Sequence, residues 1–457
     1  MKEVYSTDAA SGCHKSESSK KTGTIRRNPA ATLLLGLTLS ALIAITSGCD
    51  AKPKPTRATR LSAPEQVQES THLLRPVEVG ASFTNHPWIA HVNVADLDLD
   101  GRPDIIACES RENKVLWLKQ TDQHQFEEIV IHEGTPAPVH AEAYDMDGDG
   151  DLDILLSSMG QVFPNNDKIG SVVILENDGF MNFRPHVIAE KIARVCDIRA
   201  GDFDEDGLPD LAVAQFGYDQ GELRWMRNLG HDWQFESIIL LSLSGPVNVL
   251  VADFTGNGHL DIASNVSQQW EEVYLFANEG GGRFVPKVIF GSTNEDYGSS
   301  GISTADLNRD GRIDILFTNG DGFDYAEPGP RPWHGVQWLE NMGGGFFRHH
   351  WIGDMPGAYS PVEIDLDRDG FRDVIAVSGF NDWSKPKAAS LMWFRNDGNQ
   401  RFEPHVLAHH PTHLMCAAAG DLTGEGFLTL VTGGFHAYPP YNHRSRLLIW
   451  ERADPGK

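Results

Sequence analysis

Between residues 95 and 108 the chain reads ADLDLDGRPDIIAC, which sets Asp96, Asp98, Asp100 and Asp104 around Gly101. Carboxylates packed this closely repel one another unless positive charge lies between them. Oxygen side chains at alternating positions, with a glycine for a sharp turn, are the donor set that a hard cation such as Ca²⁺ takes. The loop recurs as Asp145, Asp147, Asp149 and Asp153, then as Asp202, Asp204, Asp206 and Asp210. It returns as Asp306, Asn308, Asp310 and Asp314, and again as Asp365, Asp367, Asp369 and Asp373. These residues are the candidate calcium ligands. Two weaker copies keep Asp253, Thr255, Asn257 and Asp261, and Asp421, Thr423, Glu425 and Thr429. They have too few carboxylates to be assigned an ion. An Asp-Gly turn by itself serves a hairpin, but a hairpin does not require oxygens at positions 1, 3, 5 and 9. The 25 carboxylates of the seven loops nearly match the net charge of −26, which bound calcium would largely neutralise.

The first positions of successive loops lie 49, 57, 51, 53, 59 and 56 residues apart. Short β-branched runs, DIIAC, DILLS and DLAVA, leave the loops. Helix-loop-helix hands and dockerins would place a helix there, so both are excluded. Further on in each unit comes an alternating run, such as VLWLKQ, LRWMRN, VQWLENMGG or LMWFRNDG. In six units it leads through polar turn residues into a run such as FEEIVI, FRPHVI or FEPHVL. Alternation at period 2 reads as strand. Four short strands per unit, in seven units, predict an all-β chain: a seven-bladed β-propeller with calcium-binding loops between the first two strands of the blades.

From about residue 72 to 452 the units resemble FG-GAP, or VCBS-type, repeats. That resemblance implies integrin-α-like blades of the kind found in bacterial exported proteins. It says little of the ligand, because such propellers serve adhesion proteins, lectins and appendages of enzymes. The seventh unit ends at LLIWERADPGK without its last strand, and LLRPVEVG ahead of the first loop resembles the missing one. The N-terminal segment is therefore expected to complete blade 7 and remove an exposed edge.

A surface this acidic excludes nucleic acid as a partner, and 11 tryptophans with 22 phenylalanines argue against disorder. Residues 1–49 read as a leader, with Lys15, Lys20, Lys21, Arg26 and Arg27 ahead of an apolar stretch that ends in TSGC. The ending resembles a bacterial lipobox, which implies lipidation at Cys49; an uncleaved anchor is the alternative. Either places the domain on the periplasmic or extracellular side of the cell envelope, touching the membrane only through that anchor. Residues 50–71, rich in proline and polar side chains, read as a flexible linker, and 72–457 as the propeller. Cys108, Cys196 and Cys416 are scattered and odd in number, so no disulfide framework is expected and each should pack as a small apolar residue.

Five residues before each loop stand His91, His140, Asp197, Asn248, Gly301, Ser360 and Cys416; two further on stand Asn93, Glu142, Arg199, Leu250, Ser303, Val362 and Ala418. They belong to the first, innermost strands, at the end of the channel opposite the acidic loops. His91, His140, Glu142, Asp197 and Arg199 are thus a candidate polar ligand pocket, with a solvated channel lining as the plainer alternative. Loops joining the second and third strands open on the same face and carry aromatics. Of these, Trp333, Trp383 and Tyr438 are the candidate ligand contacts. No GxSxG, HExxH or Walker pattern occurs, so no catalytic residue is assigned. The expectation is a monomeric binding module for a protein or carbohydrate. A lyase-like carbohydrate-active enzyme using the same face is the alternative.

Overall fold

Alternating side chains commit each unit to strands with one face toward each neighbour. In the computed structural model, which describes residues 67–453, every element is a strand. The leader, Cys49 and linker residues 50–66 lie outside the described residues, among which no helix is long and apolar enough to cross a membrane. Seven sheets each hold four antiparallel strands, in sequence order in blades 1 to 6. Blade 7 takes its outer strand from the N-terminal segment, and a short parallel strand is added to blade 6. Blade 1 runs Ile89–Ala95, Asp104–Glu109, Lys114–Asp122 and Gln125–Glu133. The innermost strands of blades 2 to 7 are Pro138–Tyr144, Arg194–Gly201, Pro246–Ala252, Ser299–Ala305, Ala358–Ile364 and Leu414–Gly420. This is the seven-bladed propeller that the repeat period predicts.

Seven apolar clusters fill the seven gaps between neighbouring blades. Blade 1 packs on blade 2 through Ile106, Trp117, Ile154 and Leu175, and blade 7 packs on blade 1 through Val431, Ile449, Ile105 and Leu116. The apolar residue at the second loop position belongs to the same cores. Leu97, Met146, Phe203, Phe254, Leu307 and Leu422 are each at most 2% exposed. Six of the seven acidic loops are therefore anchored by one side chain driven into the next interface, and Leu366 of the sixth loop packs half-buried against its own. Cys108 and Cys416 are buried and unpaired as expected, whereas Cys196 is half-buried.

Ring closure follows the sequence expectation. Leu74–Val79 pairs antiparallel with Leu447–Arg452, from Leu74 against Arg452 to Val79 against Leu447. Gln68 and Glu69, at the end of the stretch read as linker, pair in parallel with His405 and Val406 on the outer strand of blade 6. The Ser70 hydroxyl, 2.9 Å from His405 Nδ1, is buried. Deleting residues 72–80 should bare the outer edge of blade 7 and expose Leu447–Arg452 to pairing with other chains. Size-exclusion chromatography is expected to show aggregates. A monomeric deletion variant with an unchanged melting curve would mean that this strand does not close the ring.

In every blade the pairing of the first two strands slips by at least one residue at the same place, for instance between Ile89 and His91, between Pro138 and His140, and between Val195 and Asp197. A bulge bends the strand and re-aims the next side chain. Here it falls immediately before the position that faces the channel.

Candidate functional site

The acidic loops lie at one end of the innermost strands. The first Asp organises the turn: Asp96 accepts the N–H groups of Asp100 and Gly101 at 3.0 and 2.8 Å, and Asp202 those of Asp206 and Gly207 at 3.1 and 2.9 Å. The sixth-position glycines have φ between 81° and 97°, which their lack of Cβ permits. Leu99, Glu205, Arg309 and Arg368, at the fourth position, hold φ of 56–63° despite their side chains. That costs about 1 kcal/mol or more each, so the loop geometry overrides local preference.

The ninth-position carboxylate has a second role that spacing does not reveal. Asp210 accepts N–H groups from Phe203 (3.2 Å), Asn228 (2.7 Å) and the Trp225 indole (2.9 Å). Asp104 does the same with Leu97, Gln120 and Trp117. Burial pushes these carboxyls up, to about 6 in Asp104 and Asp210 and to about 7 in Asp153, Asp314 and Asp373. The asparagine that ends the third strand ties loop to loop. Asn278 Nδ2 donates to the Phe203 carbonyl of the preceding loop at 2.8 Å, and Asn341 Nδ2 to that of Phe254 at 2.8 Å.

Four loops bring three carboxylates to within 4.8 Å: Asp96, Asp98 and Asp104; Asp145, Asp147 and Asp153; Asp202, Asp204 and Asp206; Asp365, Asp367 and Asp373. Each of these loops also holds a buried carboxylate oxygen without a partner, on Asp98, Asp151, Asp204 and Asp365 respectively. Converging oxygens with unfilled valence fit a hard cation. The fifth loop, expected to be equivalent, forms no such group of three carboxylates; Asn308 stands at its third position and bonds Asp310 at 3.0 Å. Loops 1, 3 and 6 carry a tethered cation, with Lys119 on Asp98, Arg227 on Asp204 and Arg395 on Asp367. Loop 2 has Glu176 at the corresponding third-strand position, and its charge acts on Asp147.

At the other end of the strands lies a cavity of about 370 Å³. All seven residues that stand five places before a loop line it, from His91 to Cys416, together with Asn93, Arg199, Ser303 and Ala418. His140 Nδ1 sits 3.0 Å from Asp197 Oδ1. That bond makes Nδ1 the protonated nitrogen and leaves Nε2, buried and unpartnered, as an acceptor. The His91 ring packs 4.1 Å from that of His140, and its Nδ1 accepts the Ala141 N–H at 3.3 Å. Burial first, then neighbouring positive charge, holds both imidazoles well below their usual pKa, so they are neutral. Arg199 stands between Glu142 (3.5 Å) and Asp197 (3.6 Å), and burial raises the Glu142 carboxyl. The two histidines and Asp197 do not converge as metal ligands: among the described residues, groups of three metal-binding side chains occur in the acidic loops alone.

Of the aromatics expected to contact a ligand, the two tryptophans sit elsewhere. Trp333 packs on the core between blades 4 and 5 and donates its indole N–H to the Asp296 carbonyl at 2.8 Å. Trp383 lies against His413, and neither tryptophan lines the cavity. Tyr438 belongs to an aromatic group that spans the mouth, with ring centroids 6.1 Å from Phe163 and 6.2 Å from Phe323. Phe163 comes from blade 2 and meets Phe323 of blade 5 at 6.4 Å. Beside them the Tyr218 hydroxyl of blade 3 donates to Asp324 of blade 5, which also accepts Gln268 Nε2 of blade 4 at 2.8 Å. Sequence reading passed over Phe163. Its one signal is the apolar VFP triplet inside the polar loop GQVFPNNDKIG.

A family model described as FG-GAP-like repeat matches residues 96–156, 202–264, 266–317 and 365–432, together more than half of the chain. The chain belongs to the FG-GAP-like repeat family. All seven acidic loops of this FG-GAP-like propeller fall inside the matched segments. No curated protein matches the chain. Among solved structures, a chain of a crystal structure of BBS1N in complex with ARL6DN, soaked with mercury, aligns at 12% identity and TM-score 0.49. The alignment covers 85% of this chain and 98% of that one. The same complex soaked with lead aligns at 11% identity and TM-score 0.49, covering 86% and 99%.

Proposed function

We propose that this FG-GAP-like propeller is an exported, calcium-stabilised binding module of the cell envelope, monomeric, which takes a carbohydrate or protein ligand at the channel mouth away from the acidic loops. The observation that carries this reading is the convergence of one residue from every blade on a single cavity beneath a rim of aromatic loops. A rigid scaffold with polar groups in a concavity and variable loops around it is the usual architecture of a binding site. Calcium would be held by the carboxylates of loops 1, 2, 3 and 6, where the unpartnered oxygens support it. When bound, the ion supplies the positive charge that lets those carboxylates converge. It acts on stability, because loops and cavity occupy opposite ends of the innermost strands. Export rests on the basic residues and apolar run of the leader and on Cys49.

A glycan array probed with the full chain in calcium tests this reading. Phe163→Ala combined with Tyr438→Ala should lose most of the captured signal while the melting curve changes little, since aromatic rim contacts typically contribute about 2 kcal/mol each. Undiminished capture by that variant would put the ligand on another surface. The enzymatic alternative is favoured by the Asp197–His140 pair at the cavity, a carboxylate that orients a neutral imidazole at 3.0 Å. If wild type degrades an array ligand and His140→Gln does not, the enzymatic reading replaces the binding module.

A further inference from the structure

Residues 161–169, which join the second and third strands of blade 2, form a loop with fixed ends and a loosely bonded middle. Gly160 donates its N–H to the Pro136 carbonyl at 3.2 Å, and Gly170 pairs with Ile192 in the sheet. The two ends also meet. A Cβ on Gly160, whose φ is +68°, would lie 2.3 Å from the Ile169 carbonyl oxygen, and one on Gly170 would lie 2.3 Å from that of Ala193. Only glycine fits so narrow a neck, and a loop closed at its neck is a compact unit of its own. Among the described residues, no backbone–backbone hydrogen bond ties 161–166 or residue 168 to any other segment.

Side chains hold the middle down. The Phe163 ring sits in a socket made by Trp88 of blade 1, Phe323 of blade 5 and Tyr438 of blade 7, with centroids 5.4, 6.4 and 6.1 Å away. Asn166 donates to Asp219 of blade 3 at 2.9 Å and accepts the Tyr218 N–H at 3.1 Å. Arg194, 2% exposed at the start of blade 3, donates to the Val162 and Phe163 carbonyls at 3.0 Å each. Its guanidinium lies 4.8 Å over the Phe216 ring and has no carboxylate partner among the described residues. Asp324, whose charge acts on it, is already taken by Tyr218 and Gln268. A buried cation without a counter-ion is costly to keep from water, and parting the loop from Arg194 admits water to it. Aromatic burial thus favours the closed loop and hydration of Arg194 the open one, which is the balance a segment needs to open and close.

Val162 and Pro164, on either side of Phe163, line the cavity, as does Cys196 on its wall. We propose that residues 161–169 are a lid on the cavity, hinged at Gly160 and Gly170 and caught by Phe163 in the socket of blades 1, 5 and 7. A molecule enters when the ring leaves its socket and is covered when the ring returns. The side chain that seals the cavity therefore also retains what has entered it.

Cys196 supplies the test. It lines the cavity and is half-buried, and burial pushes its thiol up to about 12, so it reacts slowly until water reaches it. The full chain is treated with methyl methanethiosulfonate in calcium, and modification of each cysteine is followed by peptide mass spectrometry. Phe163→Ala is expected to speed the reaction of Cys196 by about tenfold or more, and Asn166→Ala by a smaller factor, with melting curves close to that of wild type. Cys108 and Cys416 are buried in the packing between blades and report general loosening. Both should keep their wild-type rates. Equal rates at Cys196 in wild type and both variants would show that the loop does not control access, and the lid would be wrong. A rise at Cys108 and Cys416 matching that at Cys196 would assign the effect to unfolding and equally overturn it. No ligand takes part, so the lid can fail with the binding module standing, and the module can fail with the lid standing.

Discussion

Chelating divalent ions is expected to lower the melting temperature of the full chain by roughly 5–10 °C, and Mg²⁺ should not restore it, being too small and too rigid in its coordination. Extracellular calcium modules bind with Kd of about 10⁻⁴–10⁻³ M. At ten times Kd each site adds about 1.4 kcal/mol, so four loops add about 6 kcal/mol, comparable with the net stability of a domain. The four loops should not contribute equally. Lys119, Arg227 and Arg395 already neutralise part of loops 1, 3 and 6, whereas loop 2 has Glu176 in that place. Asp147→Ala should therefore remove more of the calcium-dependent shift than Asp98→Ala. Arg395→Met, by contrast, should raise the calcium affinity of loop 6. A melting curve unmoved by chelator would take calcium out of the account.

Asp210→Ala should destabilise the protein by at least about 3 kcal/mol whether or not calcium is present. The substitution strips the acceptor from three buried donors, the Phe203 and Asn228 N–H groups and the Trp225 indole, each worth about 1–3 kcal/mol when orphaned. Asp206→Ala, in the same loop but exposed, should matter in calcium and be nearly silent in chelator. Denaturant melts of both variants, with and without chelator, measure the difference. Equal losses for the two, or a loss at Asp210 that vanishes in chelator, would show that the ninth position is a metal ligand and nothing more.

The contrast between these residues shows where sequence reading reaches its limit. Both are aspartates at regular places in one loop, and spacing ranks them alike. Asp210 differs because Trp225 and Asn228, 15 and 18 residues away, return to it across the blade. The W-x-x-N pattern was visible as a strand signature. That the asparagine of this pattern clasps the preceding loop, as Asn341 does through the Phe254 carbonyl 87 residues distant, was not. Among the aromatics, Trp333 and Trp383 occupy loop positions that suit ligand contact but pack against blade structure, while Phe163 crosses the mouth from the other side of the ring.

The amino-acid sequence by itself determined the blade: a loop periodic in carboxylates, period-2 strands on either side, seven repeats, and an N-terminal segment shaped to complete the last sheet. Those features depend on neighbours along the chain, where local sterics and the alternation of side chains act directly. It also placed one residue per blade on the channel, because a repeat maps equal positions to equal places. What the residues meet there was decided by the tertiary structure alone. A one-residue bulge before each channel position sets the direction of the side chain, and period-2 alternation carries no mark of it. The pairing of His140 with Asp197, the tethering of Lys119 to Asp98 and the roof over the cavity depend on distances between separate strands, blades and loops. Ring closure fixes those distances, because only the packed ring brings residues far apart in sequence within reach of one another.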